Sequence, residues 1–347
     1  MLSKLHVEPV TISNISEIDD PNEHIIFGDN VFFTEELLKE FLCKSQENSG
    51  NTVCALKSGT TTLRTVVSVQ KVQPVGNHIE YDLHFIPQKQ SRGKKSAIII
   101  SPDYLSEGIR LPKHFCGIEK YLIPFTTKVI VQINHWSNIW AINVILALAD
   151  IAKLQQISKF KQIILLLKSR SFNKWNILRK SNKIGKKCDI HPTACIEGST
   201  IGDNVSIGAG VVVRGSIIGD NVTLGNSVVV EASVLGEKST VLHGHIMFSV
   251  IYPELFSVSQ LISASLIGRK SFTGSGVTLT DYRLDKKNIT VIQDGIKVDT
   301  GNRLMGSCLG HDVYLGSGCI VAPGRSIPSG MRIAPSKERV IETIVDL

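Results

Sequence analysis

Three of the histidines inside a run of short repeats are candidates for chemistry, and their neighbours decide what chemistry they can do. His243 and His245 stand one residue apart in LHGHIMFS. If that piece is extended, both side chains point to the same side. His311 is followed by Asp312 in GHDV. A carboxylate can orient an imidazole, although adjacent residues on a strand point apart. A histidine so placed can take the proton of a hydroxyl or an amine. Acyl transfer from a thioester demands such a base, together with donors for the oxyanion. Zinc chemistry fits less well. A three-histidine zinc centre of the carbonic-anhydrase kind has two ligands four residues apart, whereas His243 and His245 are separated by one residue and His311 has no partner at that spacing; no metal is expected. Arg283, Arg303, Arg325 and Lys337 are candidate contacts for the phosphates of a sugar phosphate or of coenzyme A.

The repeat that carries these histidines is written most plainly from Ile201 to Val234. IGDNVSIGAGVVVRGSI is followed by IGDNVTLGNSVVVEASV, two copies of one 17-residue unit. Ile201, Ile218 and Leu235 share one register. Ile190, Ile207, Leu224 and Val241 share a second, and Ile196, Val213 and Val230 a third. The aliphatic residues recur every six residues with one step of five, which is neither helix nor strand periodicity. A step of six fits one short strand and one tight turn. Three steps close a triangular coil with the recurring aliphatic inside, a hexapeptide β-helix. The Gly-Asp-Asn and Gly-Asn-Ser sets supply turn residues that tolerate positive φ.

The repeat begins near Ile184. After Met247, FSVIYPELFSVSQLISAS does not divide into hexads, so an insertion is expected at 248–264. The repeat resumes at Ile267. A second insertion is expected at 285–300, where Asp294-Gly295 between two β-rich runs signals a hairpin. Leu309, Leu315, Val321, Ile327 and Ile333 then restore the step of six.

Residues 1–155 read as a small α/β domain. HIIFGDNVFF gives a strand and a turn, and Thr34 opens a helix with Glu35 and Glu36 in its first turn. Strand-like pieces follow at 61–72, 80–86, 97–100 and 129–133, and Ser137 is expected to cap a helix running to Leu154. A basic helical linker, 156–183, joins this domain to the repeat. Residues 151–188 hold eleven Lys or Arg and no Asp or Glu, more than the whole net charge of +7. That composition suits a solvated connecting helix packed on the first coil, or peripheral contact with an anionic membrane through 153–187. Nucleic acid is set aside because no reader motif stands beside the charge. Seven scattered cysteines without a CxxC argue for a reducing compartment. The first residues lack the apolar core of a signal peptide, and a cytoplasmic location is expected. The longest apolar run, Ile139 to Ala149, is about half of a membrane span.

From Phe272 to Gly330 the sequence resembles the C-terminal left-handed β-helix of sugar-1-phosphate nucleotidyltransferases. Within that group it is most similar to archaeal bifunctional enzymes that also acetylate an amino-sugar phosphate. GSGVTLTDYRLDKKNITV, DGIKVDTGNRLMGSCLG and GSGCIVAPGRSIPSG carry the resemblance. It implies a mainly β fold, a left-handed parallel β-helix over 184–347 preceded by the small α/β domain. It also implies an acetyl-CoA or other acyl-CoA co-substrate, a sugar phosphate or nucleotide sugar as acceptor, and a homotrimer. It puts Asp281, Arg283, Asp299 and Arg303 at the substrate, with Arg325 and Lys337 left for coenzyme A. GHDV resembles a His-Asp step of hexapeptide acyltransferases in which a histidine four residues before the next inward aliphatic is the base. His311 precedes Leu315 by that interval; His245 and His243 are the alternatives.

Two departures qualify the resemblance. The bifunctional enzymes carry their acetyl-transfer histidine shortly before the segment matching Ile267-Gly268, and FSVSQLISASLIG has none. HIIFGDNVFFTEELLKEFL resembles the strand and helix around the metal-binding Gly-Asp of nucleotidyltransferases, which would map that role to Asp29. The glycine-rich nucleotide loop should lie upstream, yet residues 1–27 contain no glycine. A triphosphate needs backbone N–H groups brought close by glycine and a cation beside them. Acyl transfer is therefore the expected activity. A non-catalytic sugar-nucleotide-binding or regulatory protein and a sugar-1-phosphate nucleotidyltransferase are the alternatives.

Overall fold

The computed structural model describes residues 10–11, 22–48, 50–59, 66–87, 95–102, 107–117, 119–123, 126–156 and 173–336. Contacts divide the chain into two units. One comprises 1–62, 70–103 and 127–134, the other 63–69, 104–126 and 135–347.

In the first unit, His24–Phe27, His78–Ile86, Thr52–Lys57 and Ser96–Ile100 form a sheet in that spatial order. Only the last pair is parallel. Helix α1, Glu35–Gln46, buries Leu37, Leu38 and Phe41. Thr34 stands at its N-cap, but its hydroxyl accepts from the Val129 N–H rather than from the helix. Asp29 is exposed in the turn between His24–Phe27 and Val31–Phe33, a role any turn residue fills. The strand-like piece 61–72 is not a strand where it is described: Val67–Val69 is a 3-10 turn flanked by positive φ at Val66 and Lys71.

The second unit is a parallel β-solenoid with three faces. Its sheets hold eight, eight and seven strands among the described residues. Ile201, Ile218 and Leu235 stack on the first face, Ile207, Leu224 and Val241 on the second, and Val213 and Val230 on the third. All are buried in one continuous core. Each such side chain is worth about 1.5–3 kcal/mol when fully buried. Asn204, Asn221, Lys238 and Asp312 hold the positive φ values that turn the chain at corresponding corners.

A serine column runs up the corner between the third and first faces. The backbone N–H groups of Ser216, Ser233, Ser249, Ser265 and Ser307 each donate to the hydroxyl of the serine one coil earlier, at 3.0–3.2 Å. The hydroxyls of Ser216, Ser233, Ser249 and Ser265 in turn donate to the carbonyl two residues back.

Three expectations need correction. Residues 248–264 are not an insertion. Val250–Ile251, Phe256–Ser257 and Leu261–Ser263 continue all three ladders without a break. The coil has shortened to a step of 16, and Ser257 takes a place that aliphatics hold elsewhere. Its hydroxyl is satisfied inside the core by Ser259 and Thr273, each at 2.8 Å.

The domain boundary expected at 155 also shifts. Helix Trp136–Gln156 groups with the solenoid because Trp140, Ala141 and Val144 share a core with Val250, Ala264, Leu266 and Cys308. The Trp140 indole N–H donates to the Phe248 carbonyl at 2.7 Å. Most of the expected basic linker, 157–172, lies outside the described residues, and with it the middle of the expected membrane segment 153–187. Finally, Ser137 does not cap this helix. His135 does: its N–H donates to Asn138 Oδ1 at 3.1 Å, and its ring accepts from the Ser137 N–H at 3.3 Å.

The second insertion forms an arm. It leaves the coil at Asp281, whose carbonyl accepts from Met305 N at 3.0 Å, and Tyr282 bridges Leu304. Thr290–Gln293 and Ile296–Asp299 then pair as a hairpin that turns at Asp294 and Gly295, both at positive φ. Ile289 and Val291 bury into the core beneath the Trp136–Gln156 helix.

Candidate functional site

The outward side of the third face carries charges that alternate coil by coil. Glu197, Arg214 and Glu231 are register partners. The Arg214 Nε donates to Glu197 at 2.8 Å and its Nη1 to Glu231 at 3.2 Å. Arg179, on the short helix Lys174–Lys180, reaches Glu197 at 3.3 Å, and Trp175 on the same helix lies under the Arg214 guanidinium at 5.1 Å. At the far end Glu231 Oε2 meets His245 Nε2 at 3.1 Å. That hydrogen bond from His245 is the main reason the Glu231 carboxyl sits below the usual carboxylate range, against the opposing effect of burial. Burial pushes the Glu197 carboxyl up, but its hydrogen bonds from Arg214, Cys195 and Arg179 outweigh this and hold it low.

The two histidines of LHGHIMFS do not share a side. His245 begins the strand His245–Met247 on the third face. His243 is exposed in the bend before it, where Gly244 takes φ +104°. With the Glu231 carboxylate as acceptor, the His245 Nε2–H is the donor, and the lone pair of the neutral ring is left on Nδ1. Sequence reasoning missed Glu231. The signal was present as Glu197, Arg214 and Glu231 at one outward position of successive repeats.

His311 sits at a different corner, between the first and second faces, and is exposed. Its Nδ1 accepts from the Arg269 backbone N–H at 3.1 Å, and its ring stands edge-on to Tyr252. With Nδ1 accepting, the neutral ring carries its proton on Nε2. Asp312 does not orient it: that carboxylate faces Arg332 at 3.4 Å. The three candidate histidines therefore occupy separate places on the solenoid rather than one site.

The arm gathers a third set of groups. Arg283, Lys286, Lys287, Asn288, Thr290, Lys297, Asp299 and Arg303 line one cavity of about 470 Å³. Of the four residues expected at the substrate, Arg283, Asp299 and Arg303 meet here. Asp281 does not line the cavity; it accepts from the Ser263 hydroxyl at 2.7 Å. Arg283 is clamped by Asp285, to which its Nε donates at 2.9 Å, and this guanidinium holds the Asp285 carboxyl down to about 2. Arg325 is exposed behind the wall, its Nη2 3.5 Å from the Thr290 carbonyl. Lys337 lies outside the described residues. The lysines of this cavity were missed because they look like ordinary surface charge until the hairpin folds back.

No group of His, Cys, Asp and Glu among the described residues is placed to hold a metal ion, and no described helix is long and apolar enough to cross a membrane.

Comparison with known proteins adds the following. The family model described as the GMPPB C-terminal domain matches residues 169–259. This agrees with the resemblance to sugar nucleotidyltransferase solenoids, although it falls on the early coils rather than on Phe272 to Gly330. No curated protein matches the chain. Among solved structures, PerB from Caulobacter crescentus, in complex with CoA and GDP-perosamine, is 17% identical over 44% of this chain and 55% of its own, with a TM-score of 0.23. The UDP-N-acetylglucosamine acyltransferase from Campylobacter jejuni is 12% identical over 41% of this chain and 63% of its own, at a TM-score of 0.23. The acetyltransferase domain of PglB from Neisseria gonorrhoeae FA1090, in complex with acetyl coenzyme A, is 22% identical over 43% of this chain and 52% of its own, at 0.17. The match thus spans less than two thirds of each of those chains. The second of these neighbours is described as an acyltransferase and the third as an acetyltransferase domain. At such scores the likeness carries no argument about this chain's chemistry.

Proposed function

We propose that the protein is a hexapeptide-repeat acyltransferase that moves an acyl group, acetyl first among them, from an acyl-CoA to a sugar phosphate or nucleotide sugar. The observation that carries this reading is the His245–Glu231 pair at 3.1 Å on the third face. It supplies an imidazole whose tautomer is fixed by a carboxylate and whose other nitrogen keeps a lone pair, the arrangement general-base catalysis requires. In this reading His245 Nδ1 takes the proton of the acceptor hydroxyl or amine as that oxygen or nitrogen attacks the thioester carbonyl. The carbon–sulfur bond then breaks, and the imidazolium returns the proton to the leaving thiolate. Glu231 stabilises the transient positive charge, and Arg214 fixes Glu231 from the other side.

The test is release of free thiol from acetyl-CoA in the presence of a panel of amino-sugar phosphates and nucleotide sugars. Turnover that falls about 10²–10⁴-fold in His245→Ala supports the assignment. Turnover that is indifferent to His245 and Glu231 overturns it. Ligand binding with no turnover under any condition would favour the sugar-nucleotide-binding reading instead.

A further inference from the structure

The cavity formed by the arm is not lined by His245 or Glu231. It follows Thr278–Leu279, at the opposite end of the third face from the start of His245–Met247. It also lies two coils further along, a rise of about 10 Å. Its lining is unusual in charge: Arg283, Lys286, Lys287, Lys297 and Arg303 stand against the carboxylate of Asp299 and that of Asp285, which pairs with Arg283. Like charges crowded in one concavity repel, and an arrangement of this kind is relieved by an anion.

The cations are also held in position. Arg303 Nη1 donates to the Cys116 carbonyl at 3.0 Å and Lys286 Nζ to the His114 carbonyl at 2.9 Å. Both acceptors are neutral, so the contacts fix the side chains without cancelling their charge. The clamp of Asp285 on Nε and Nη2 of Arg283 leaves Nη1 for another acceptor. Lys297 makes no ion pair among the described residues, and Lys287 adds to the charge beside Asp285, whose Oδ1 accepts from its backbone N–H at 3.3 Å; both side chains are exposed. The Thr290 hydroxyl is buried without a hydrogen-bond partner in the same wall. A neutral ligand would leave the positive charge uncompensated. One phosphate would engage part of the set and occupy little of a volume of about 470 Å³.

We propose that this cavity is a binding site for the pyrophosphate group of a nucleotide-type ligand, with Arg283, Lys286, Lys287, Lys297 and Arg303 as its charge partners and Thr290 as a hydroxyl contact. Coenzyme A and nucleotide sugars both carry that group, so the ligand class is fixed by the chemistry and its source by the experiment.

The experiment is calorimetric titration of the full chain with inorganic pyrophosphate, CoA and UDP, at low and at physiological ionic strength. Saturable pyrophosphate binding is expected, weakening as salt rises. Lys287→Glu combined with Lys297→Glu is expected to weaken it by at least about ten-fold. Both lysines are exposed, so the fold is retained, which the melting temperature checks. Lys238→Glu, at a corner remote from the arm, serves as the charge control and is expected to leave the affinity unchanged. CoA binding more tightly than UDP identifies the thioester donor as the source, and the reverse order identifies a nucleotide sugar. No saturable binding of any of the three overturns the proposal. So does an affinity that ignores the lysine reversals, or one that falls equally in Lys238→Glu. His245→Ala is expected to bind pyrophosphate like the parent, so loss of the acyl-transfer reading and loss of this one remain separate results.

Discussion

The backbone N–H of Arg269 donates to Nδ1 of His311 at 3.1 Å, tying together residues that are 42 positions apart in sequence. This contact engages the one imidazole nitrogen that would carry the lone pair. The side chain of His311 therefore staples two neighbouring coils at their corner. His311→Ala is expected to leave turnover within about two-fold of the parent, while costing about 0.5–1.5 kcal/mol of stability for the lost hydrogen bond. Parallel assays of thiol release and urea unfolding on His311→Ala and His245→Ala check this; a collapse of turnover in the first alone would reverse the assignment.

The Glu231 carboxyl is held below its ordinary value, first by His245 and then by Arg214. A carboxyl depressed on folding stabilises the protein fully above its unfolded value, near 4.3, and that contribution is lost as pH falls through the folded value. Glu231→Gln is therefore expected to flatten the acid limb of stability below about pH 4.3. At neutral pH it would cost the charge-assisted bonds. Melting temperature as a function of pH for the two proteins measures the difference. Identical acid limbs would mean that the contact does not persist in solution.

Gly324 adopts φ +74°, and a Cβ there would run into the Thr290 carbonyl and lie 2.8 Å from Ile289 Cγ2. The arm can lie against the coil because this residue has no side chain. Gly324→Ala is expected to destabilise by about 1–3 kcal/mol and to push the hairpin outward. Limited proteolysis should then cut near Asp294-Gly295 faster than in the parent. An unchanged cleavage rate would contradict the tight contact.

The polar knot of Ser257, Ser259 and Thr273 offers a fourth test. Thr273→Val alone removes the donor at 2.8 Å to Ser257 and is expected to cost about 1 kcal/mol. Replacing Ser257 by Val in the same protein restores the aliphatic stack and should recover part of that loss, although Ser259 then lacks its partner. A cost that simply adds would show that the three hydroxyls are not coupled.

This knot also explains where the sequence became hard to read. The coils from Ile201 to Val234 announce themselves because every inward position is aliphatic and the step is constant. In the coil from Val250 the step drops by one residue and Ser257 points inward, so the period disappears although the ladder does not. The hairpin at Asp294-Gly295 was legible because its turn needs positive φ at both residues. The position of His243 was not, since Gly244 bends the chain and removes the strand alternation assumed for LHGHIMFS. His245 and Glu231 lie 14 residues apart, a diagonal between coils that no local pattern encodes. The cations of the arm become a cavity only after Asp281 and Met305 close its base.

That closure gives the molecule a socket. The Ser307 N–H donates to the Ser265 hydroxyl across 42 residues as its counterparts do across 16 or 17, so the coil stack is indifferent to what is inserted between them. With the ends of the arm already joined at the Asp281 carbonyl and the Met305 N–H, a change in its length adds little closure entropy. A hairpin of different length or charge can be exchanged at this point while the coils above and below keep their alignment. The charged cavity proposed as a pyrophosphate site is thus carried on one plug-in segment, and a change there leaves the alignment of the coils on which it is mounted untouched.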